Sequence, residues 1–188
     1  MSRAVSDPAQ RLRRPDTPGG PGHSAPGAAK PDASICGDFG IRIARDGTWF
    51  YHGSPIGRKQ LVKLFAKVLR RDEAGQYWLI TPVERGTIVV DDAPFIAVEL
   101  SMTGTGKAQR LTFRTNLDDE VTVDRDHPIR IVENTDTGEP SPYVLVRDNL
   151  EALIARAVFY QLVDLGVEEG RRFGVWSSGH FFELGKLP

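Results

Sequence analysis

Arginine residues beside aromatic residues are the side chains of this sequence with the clearest potential for chemistry. Arg85 follows the apolar run Tyr77-Trp78-Leu79-Ile80, and Arg147 and Trp176 lie close to further aromatic residues. A guanidinium group can bind a phosphate through paired hydrogen bonds while an aromatic ring stacks on a base. We therefore expect a phosphate-bearing ligand near Arg85, Arg147 and Trp176. Structural ion pairs, such as one between Arg147 and Asp148, are the alternative.

A further anion site is predicted where a helix begins, at Gly53-Ser54-Pro55-Ile56-Gly57-Arg58. Ser54 and Pro55 are residue types that commonly start helices. The free N–H groups and the positive dipole end of that helix would point at a loop closed by Arg58, which suits an anion. Arg58 is thus a fourth candidate contact for the ligand. A plain capped helix is the alternative.

The same predicted helix carries a basic face. Lys59, Lys63 and Lys67 recur at helical spacing, with no acidic residue between Arg58 and Arg71. This face could bind an acidic protein, so an interaction adaptor is the alternative function. An ordinary solvated surface also explains the pattern.

Other motifs give no positive sign of catalysis, a cofactor or a metal. The segment Thr103-Gly104-Thr105-Gly106-Lys107 lacks the first glycine and the final Ser or Thr of a phosphate loop, and the four histidines are not at ligand spacing. Ser177 and Ser178 stand near His180, but without the elbow that presents a nucleophilic serine. We expect a non-enzymatic protein, unless His180 lies within hydrogen-bond reach of one of these serines.

Composition limits the partners and the compartment. With 24 basic and 25 acidic side chains, the net charge of −1 argues against nucleic acid binding through global positive charge. One cysteine allows no internal disulfide, and no segment approaches the roughly 18 apolar residues that cross a bilayer. We expect a cytoplasmic protein without membrane contact. Residues 1–35 are rich in proline and glycine and lack aromatic residues, which predicts a disordered tail.

Apolar spacing predicts an α+β fold. Ile41 and Ile43 alternate with less apolar neighbours, Asp46-Gly47 makes a turn, and residues 48–51 complete a hairpin. A helix over 58–71 and a strand over 77–81 follow.

The remainder is predicted to contain more strands and one more helix. Short apolar runs separated by turn residues predict an antiparallel meander of strands over 87–90, 95–102, 108–114, 120–123 and 129–132. A strand over 143–146 leads into a helix over 149–165, capped by Asp148 or Asn149 and ended by Gly166. The last strands cover 173–176 and 181–184.

Two parts of the chain are loosely similar. The helix over 58–71 with the strand over 77–81 mirrors the helix over 149–165 with the strand over 173–177, and each strand carries a tryptophan. We predict an α+β protein of duplicated helix-plus-strand units with antiparallel sheets, divided into domains over 36–85 and 86–188. Chance similarity of two common helix–strand pairs is the alternative.

Several groups of residues occur in an order typical of one family. They are Tyr77-Trp78-Leu79-Ile80-Thr81-Pro82-Val83-Glu84, Asp92-Ala93-Pro94-Phe95, Pro142-Tyr143-Val144-Leu145-Val146-Arg147-Asp148, Gly174-Val175-Trp176-Ser177-Ser178-Gly179 and Phe181-Phe182-Glu183-Leu184-Gly185. Over about residues 38–186 the chain resembles the uncharacterised bacterial family called domain of unknown function 1285. The resemblance implies a duplicated core, a C-terminal half partly like a pleckstrin-homology fold, a nucleotide-like ligand between the halves and a role in signal transduction. It implies no catalytic residues.

Overall fold

The structure is a computed structural model that describes residues 36–133, 135 and 138–187. They form two six-stranded sheets, a three-stranded sheet and two α-helices. The tail predicted over residues 1–35 lies outside the described residues. Along the described ranges, neither helix is long and apolar enough to cross a membrane.

The first sheet occupies the N-terminal half of the described chain, residues 36–93. Its elements are β1 (Cys36–Ile43), β2 (Trp49–Tyr51), β3 (Ser54–Pro55), helix α1 (Lys59–Val68), β4 (Leu69–Arg71), β5 (Tyr77–Ile80) and β6 (Arg85–Val90). The strand order is β3-β2-β1-β6-β5-β4. The predicted hairpin is confirmed, because Ile43 of β1 pairs with Trp49 of β2. Strands β1 and β6 are parallel, whereas the other neighbours are antiparallel.

The C-terminal half, residues 94–187, contains the other two sheets. Its elements are β7 (Phe95–Thr103), a short 3-10 helix (Gly106–Ala108), β8 (Arg110–Thr115), β9 (Glu120–Thr122), β10 (Ile129–Glu133), β11 (Pro140–Arg147), β12 (Leu150–Ile154), helix α2 (Arg156–Asp164), β13 (Val167–Glu169), β14 (Arg172–Ser177) and β15 (His180–Lys186). The six-stranded sheet has the order β10-β11-β12-β7-β8-β9, and β13-β14-β15 form the small one.

The two large sheets have the same topology, which confirms a duplication. When the strands of each half are numbered from its start, both sheets have the order third, second, first, sixth, fifth, fourth, with a parallel pair between first and sixth. The helices do not correspond, since α1 precedes the fourth strand whereas α2 follows the sixth. The repeated unit is therefore the six-stranded sheet. The prediction that the repeat consists of a helix followed by a strand with a tryptophan was wrong. The predicted domain bounds and the pleckstrin-homology likeness stay predictions.

The first helix is shorter than predicted at both ends. Ser54 and Pro55 pair with β2 as strand β3, and the amide of Ile56 donates to the Trp49 carbonyl, so the hairpin continues where a helix cap was expected. After Val68 the chain becomes strand β4, in which Leu69 is buried and pairs with Leu79. Pairing with β5 overrides the helical spacing there.

The second helix begins at Arg156, and the prediction that it starts near Asn149 was wrong. Asp148 and Asn149 have φ of +42° and +62°, which makes them the two-residue turn of a hairpin between β11 and β12. In β12 the buried residues alternate as Leu150, Ala152 and Ile154. This segment fits strand and helix spacing alike, and the hairpin decides between them.

The predicted strands are present, but the prediction that they form one continuous antiparallel meander was wrong. Strands β7, β8 and β9 form one antiparallel meander, and β10, β11 and β12 form another. The parallel pair β7 and β12 joins them, so β9 and β10 lie at opposite edges of the sheet. Short loops between strands indicated local hairpins but could not show which strands meet across the sheet.

One hydrophobic core extends through both halves. Val62 and Ala66 of α1 belong to the same buried cluster as Phe95, Phe113 and Leu117 of the second half. On the same helix, Phe65 stacks on Trp49 with ring centroids 6.3 Å apart. Helix α1 therefore lies at the contact between the halves, and polar side chains on its exposed face border that contact.

Candidate functional site

A groove of about 540 Å³ lies where α1 meets the second half. Its wall on α1 consists of Gln60, Lys63, Leu64, Ala66 and Lys67. Leu117, Asp118, Asp119 and Arg147 line the opposite wall. We call it the seam groove. Concave pockets between domains are common positions for ligands.

The turn between β8 and β9 positions the acidic groups of the seam groove. The Thr115 hydroxyl is fully buried and accepts hydrogen bonds from the amides of Leu117 and Asp119, at 3.3 and 3.1 Å. Asp118 has a φ of +66°, a conformation that turns tolerate best with Gly, Asn or Asp. The turn thus presents Asp118 and Asp119 next to each other at the edge of α1.

The carboxylate of Asp118 is held by cations from both halves. Lys59 Nζ lies 2.8 Å from one of its oxygens and Lys63 Nζ 2.7 Å from the other, while Arg114 is 3.4 Å away. Hydrogen bonds from Lys59 and Lys63 lower the pKa of Asp118 to about 2. These lysines belong to the basic face that the sequence predicted, and the structure places two of its three members in an intramolecular ion pair.

Arg147 joins the two halves at the other end of the groove. It is the last residue of β11, and its Nη2 donates to the Ala66 carbonyl of α1 at 2.7 Å. Its Nη1 lies 3.5 Å from the Asp119 carboxylate, and its guanidinium carbon is 5.0 Å from the centroid of the Phe95 ring. The cation binds a carbonyl near the C-terminal end of α1, where the helix dipole favours positive charge.

Among the residues that the structure describes, Lys67 is the cation of the seam groove whose ammonium group has no partner. Its side chain is exposed, and no hydrogen bond or ion pair of its ammonium group occurs within the described ranges. Leu64, one turn earlier on α1, is 58% exposed and adds apolar surface. The groove therefore combines an unpaired cation, an arginine and apolar side chains.

The other three predicted ligand contacts lie elsewhere. Arg58 precedes α1 and makes no side-chain cap hydrogen bond. Arg85 begins β6, with its guanidinium carbon 5.5 Å from the centroid of Trp78. Trp176 lies in β14 with Lys107 Nζ 4.2 Å from its ring centroid. Of the four residues, only Arg147 lines the seam groove, and whether any of them binds a ligand stays a prediction.

A second groove, of about 460 Å³, also has both halves in its walls. Arg130 there makes paired hydrogen bonds to Glu151, at 2.9 and 2.8 Å, and lies 4.9 Å from the ring centroid of Tyr143. The Tyr143 hydroxyl donates to Asp92 at 2.7 Å. Burial, followed by this hydrogen bond, raises the pKa of Tyr143 to about 12. Of the two arginines that line this groove, Arg130 is satisfied by Glu151, whereas the buried Nε of Arg71 has no hydrogen-bond partner among the described residues.

The serines near His180 are structural. Ser177 is fully buried, donates to the Val123 carbonyl at 2.6 Å and accepts from the Leu111 amide at 3.0 Å. Ser178 donates to the same carbonyl, and His180 Nδ1 lies 3.0 Å from the backbone oxygen of Ser178. These contacts fasten the small sheet to β8 and form no nucleophile–base pair. Among the residues that the structure describes, no group of three or more His, Cys, Asp or Glu is placed to hold a metal ion.

Sequence reasoning missed the acidic side of the seam groove. Nothing in the spacing of Asp118 and Asp119 connects them with a helix some 55 residues earlier. The sequence did contain one indication of the groove. The spacing of Lys59, Lys63 and Lys67 puts their charges on one side of α1. The carbonyl of Ala66, a main contact of Arg147, left no signal.

Comparisons with known proteins agree on one family. The model described as "Domain of unknown function (DUF1285), N-terminal domain" matches residues 28–93. The model described as "Protein of unknown function (DUF1285), C-terminal domain" matches residues 94–184. No curated protein matches the chain.

Two crystal structures are similar to this chain. A DUF1285 family protein from Silicibacter pomeroyi DSS-3 is 48% identical with a TM-score of 0.78, and the match covers 87% of this chain and 90% of that one. A DUF1285 family protein from Shewanella baltica OS155 is 26% identical with a TM-score of 0.53, covering 66% of this chain and 91% of that one. The resemblance seen in the sequence is therefore confirmed.

Proposed function

This chain belongs to the DUF1285 family, and from that premise we propose that it is a non-enzymatic protein that binds a nucleotide-like or phosphate-bearing ligand in the seam groove. The observation that carries the proposal is the ammonium group of Lys67, which has no partner among the described residues and lines the same groove as Arg147, with both halves in its walls.

The charges of the groove suit an anion with an organic part. Lys67 has no carboxylate partner within the described part of the chain, and Arg147 holds Asp119 only at 3.5 Å. Both cations can therefore bind a phosphate without first losing a short ion pair. The exposed side chain of Leu64 and the wall formed by Leu117 offer apolar contact for a base or a sugar, and the Gln60 amide offers hydrogen bonds.

The position of the groove fits the role in signal transduction that the sequence resemblance implies. Arg147 bonds to Ala66 of α1, and Lys59 and Lys63 bond to Asp118, so the same side chains border the groove and hold the halves together. A ligand that contacts these groups would bias how the halves pack, which is the kind of coupling a ligand-operated switch needs.

Thermal unfolding with a panel of phosphate compounds tests the proposal. The panel contains AMP, ADP, ATP, ribose 5-phosphate and pyrophosphate. A compound present at about one hundred times its dissociation constant adds about 2.7 kcal/mol to the free energy of unfolding and raises the melting temperature. We expect at least one of them to do so for the unmodified protein.

Two matched variants locate the binding. Lys67→Glu reverses an exposed charge in the groove and is expected to abolish the shift, whereas Arg110→Glu, an equal reversal at an exposed residue outside the groove, is expected to keep it. The proposal fails if no compound of the panel stabilises the protein, or if Lys67→Glu leaves the shift unchanged.

The adaptor function on the basic helix face is the second proposal, and fewer contacts support it. Lys59 and Lys63 are bonded to Asp118, which leaves Lys67 as the member of that trio with a free charge. Charge reversal at Lys67 alone should then abolish the capture of an acidic protein partner without lowering the melting temperature. Reversal at Lys59 or Lys63 would break ion pairs between the halves as well.

A further inference from the structure

The seam groove already contains an anion of the protein's own. The Asp118 carboxylate lies between Lys59 and Lys63, with one oxygen near each ammonium group, at 2.8 and 2.7 Å. Lys59 and Lys63 are four residues apart on one helix face, and their two ammonium groups together bind a group with two acceptor oxygens, as a phosphate also has. Asp118 and Lys63 both line the groove.

We propose, on the basis of the ligand function proposed above, that Asp118 occupies the phosphate position of the seam groove, and that a ligand enters by displacing it. Because a doubly charged phosphate gains more from the surrounding cations than a singly charged one, the groove selects phosphate monoesters over diesters.

Displacement is feasible because Asp118 is not locked in place. Its side chain is 40% exposed, and it lies in a turn whose shape is held by the buried Thr115 hydroxyl and not by its own carboxylate. Breaking an ion pair at such exposure costs little, since water compensates the separated charges. The turn can therefore keep its backbone while the Asp118 side chain rotates away from the lysines.

The surrounding charges explain the preference for monoesters. A diester has a single negative charge, so exchanging it for the carboxylate of Asp118 leaves the attraction to Lys59 and Lys63 about the same. A monoester has a charge of about −1.5 to −2 at neutral pH, so the exchange gains attraction. Lys67 favours the added charge, and Arg147, which lies 3.5 Å from Asp119, limits the repulsion from that carboxylate.

Two other charged side chains near Asp118, those of Arg114 and Glu99, are paired with each other. Arg114 bonds to Glu99 and reaches Asp118 at 3.4 Å, so it offers the displaced carboxylate a partner other than the two lysines. Within the described residues no histidine lines the groove, and histidine is the side chain that ordinarily titrates near neutral pH. Any change of affinity across that range would then come from the ligand's phosphate.

The test compares AMP with 3′,5′-cyclic AMP, which share base and sugar but differ in phosphate charge. Isothermal titration calorimetry at low salt measures both compounds on the full chain, on Asp118→Asn and on the control Glu183→Gln. Glu183→Gln removes the same charge from an exposed position on β15, away from the groove. Melting temperatures establish that each variant is folded.

We expect AMP to bind the unmodified protein about tenfold more tightly than cyclic AMP. Asp118→Asn should strengthen the binding of both compounds by the same factor, about threefold, and so keep the preference for AMP, while Glu183→Gln changes neither affinity. The affinity for AMP should also fall as the pH decreases from about 7.5 to about 5.5, because its phosphate takes up a proton near pH 6. That for cyclic AMP should stay constant over the same range.

The outcomes separate this inference from the function on which it rests. If the unmodified protein binds AMP but Asp118→Asn binds neither compound more tightly, Asp118 is not a competitor, and the ligand function still stands. Equal affinities for the two compounds with a flat pH dependence would likewise overturn the selectivity alone. Binding seen only with Asp118→Asn would support the inference. If no protein binds either compound or any member of the phosphate panel, both proposals fail.

Discussion

Replacing Ser177 by alanine is expected to destabilise the protein without any connection to catalysis. The Ser177 hydroxyl is fully buried and connects three elements, since it sits in β14, donates to the Val123 carbonyl after β9 and accepts from the Leu111 amide in β8. Ser177→Ala leaves that amide without an acceptor in a site that water does not reach. The Val123 carbonyl keeps its hydrogen bond from Ser178, at 3.0 Å.

The magnitude follows from the group left unsatisfied. A buried donor that loses its acceptor costs about 1–3 kcal/mol, and the lost bond to Val123 adds about 0.5–1 kcal/mol. We expect Ser177→Ala to lower the free energy of unfolding by about 2–3 kcal/mol in urea titrations followed by circular dichroism.

Ser178→Ala is the matched control for this experiment. Its half-buried hydroxyl donates to the same carbonyl and accepts no buried amide, so its loss should cost less than about 1 kcal/mol. Equal effects of the two substitutions, or a change below about 0.5 kcal/mol for Ser177→Ala, would refute the reasoning.

Three further predictions test other parts of the fold. Tyr143→Phe should remove the last tyrosine ionisation from a phenolate absorbance titration, because the pKa of Tyr143 is raised to about 12. Because folding raises this pKa, the stability contributed by Tyr143 decreases with pH. It is complete below the ordinary tyrosine pKa near 10 and is lost as the pH rises through about 12. A titration that Tyr143→Phe leaves unchanged would contradict this. Gly174→Ala would place a β-carbon 2.2 Å from the backbone oxygen of Phe182, so it should cost at least about 3 kcal/mol in urea unfolding. Gly185→Ala, whose β-carbon would meet nothing within 4 Å, should stay within about 0.5 kcal/mol, and similar losses for both glycines would be evidence against this packing of the small sheet. Asn149→Gly should increase the free energy of unfolding by about 0.5 kcal/mol and so raise the melting temperature slightly, because glycine suits a turn residue with φ of +62°. A loss of about 1 kcal/mol would instead indicate that residue 149 lies in a helix.

Much of the secondary structure could be predicted because it depends on local spacing. The strand pattern of residues 41–51 and the turn at Asp46-Gly47 were found correctly, and so were the strands on either side of Ser178-Gly179. The secondary structure was predicted wrongly where one segment fits both helical and strand periodicity. Residues 150–154 match both a helix and a strand, and a hairpin turn with two positive φ angles excluded the helix.

The candidate site could be predicted only in part, because its groups come from distant parts of the chain. Arg147 was selected from its aromatic neighbours, and it does line the seam groove. The alternative prediction, a structural ion pair with the adjacent Asp148, named the wrong partner, since Arg147 contacts Ala66 and Asp119. Lys59 and Lys63 were recognised as a basic face, but the sequence could not show that a turn of the second half covers them with Asp118.

The sequence alone determined the family and most of the strands, because these depend on residue order and on the alternation of apolar side chains. It also indicated a duplication, although the repeated unit it indicated was wrong. The tertiary structure decided which segments are repeats of one another and where charges meet. Both sheets have one strand order, and their parallel central pairs join strands that are more than 40 residues apart. Spacing along the chain does not show such pairings, because they join strands that are distant in sequence and form only when each sheet closes.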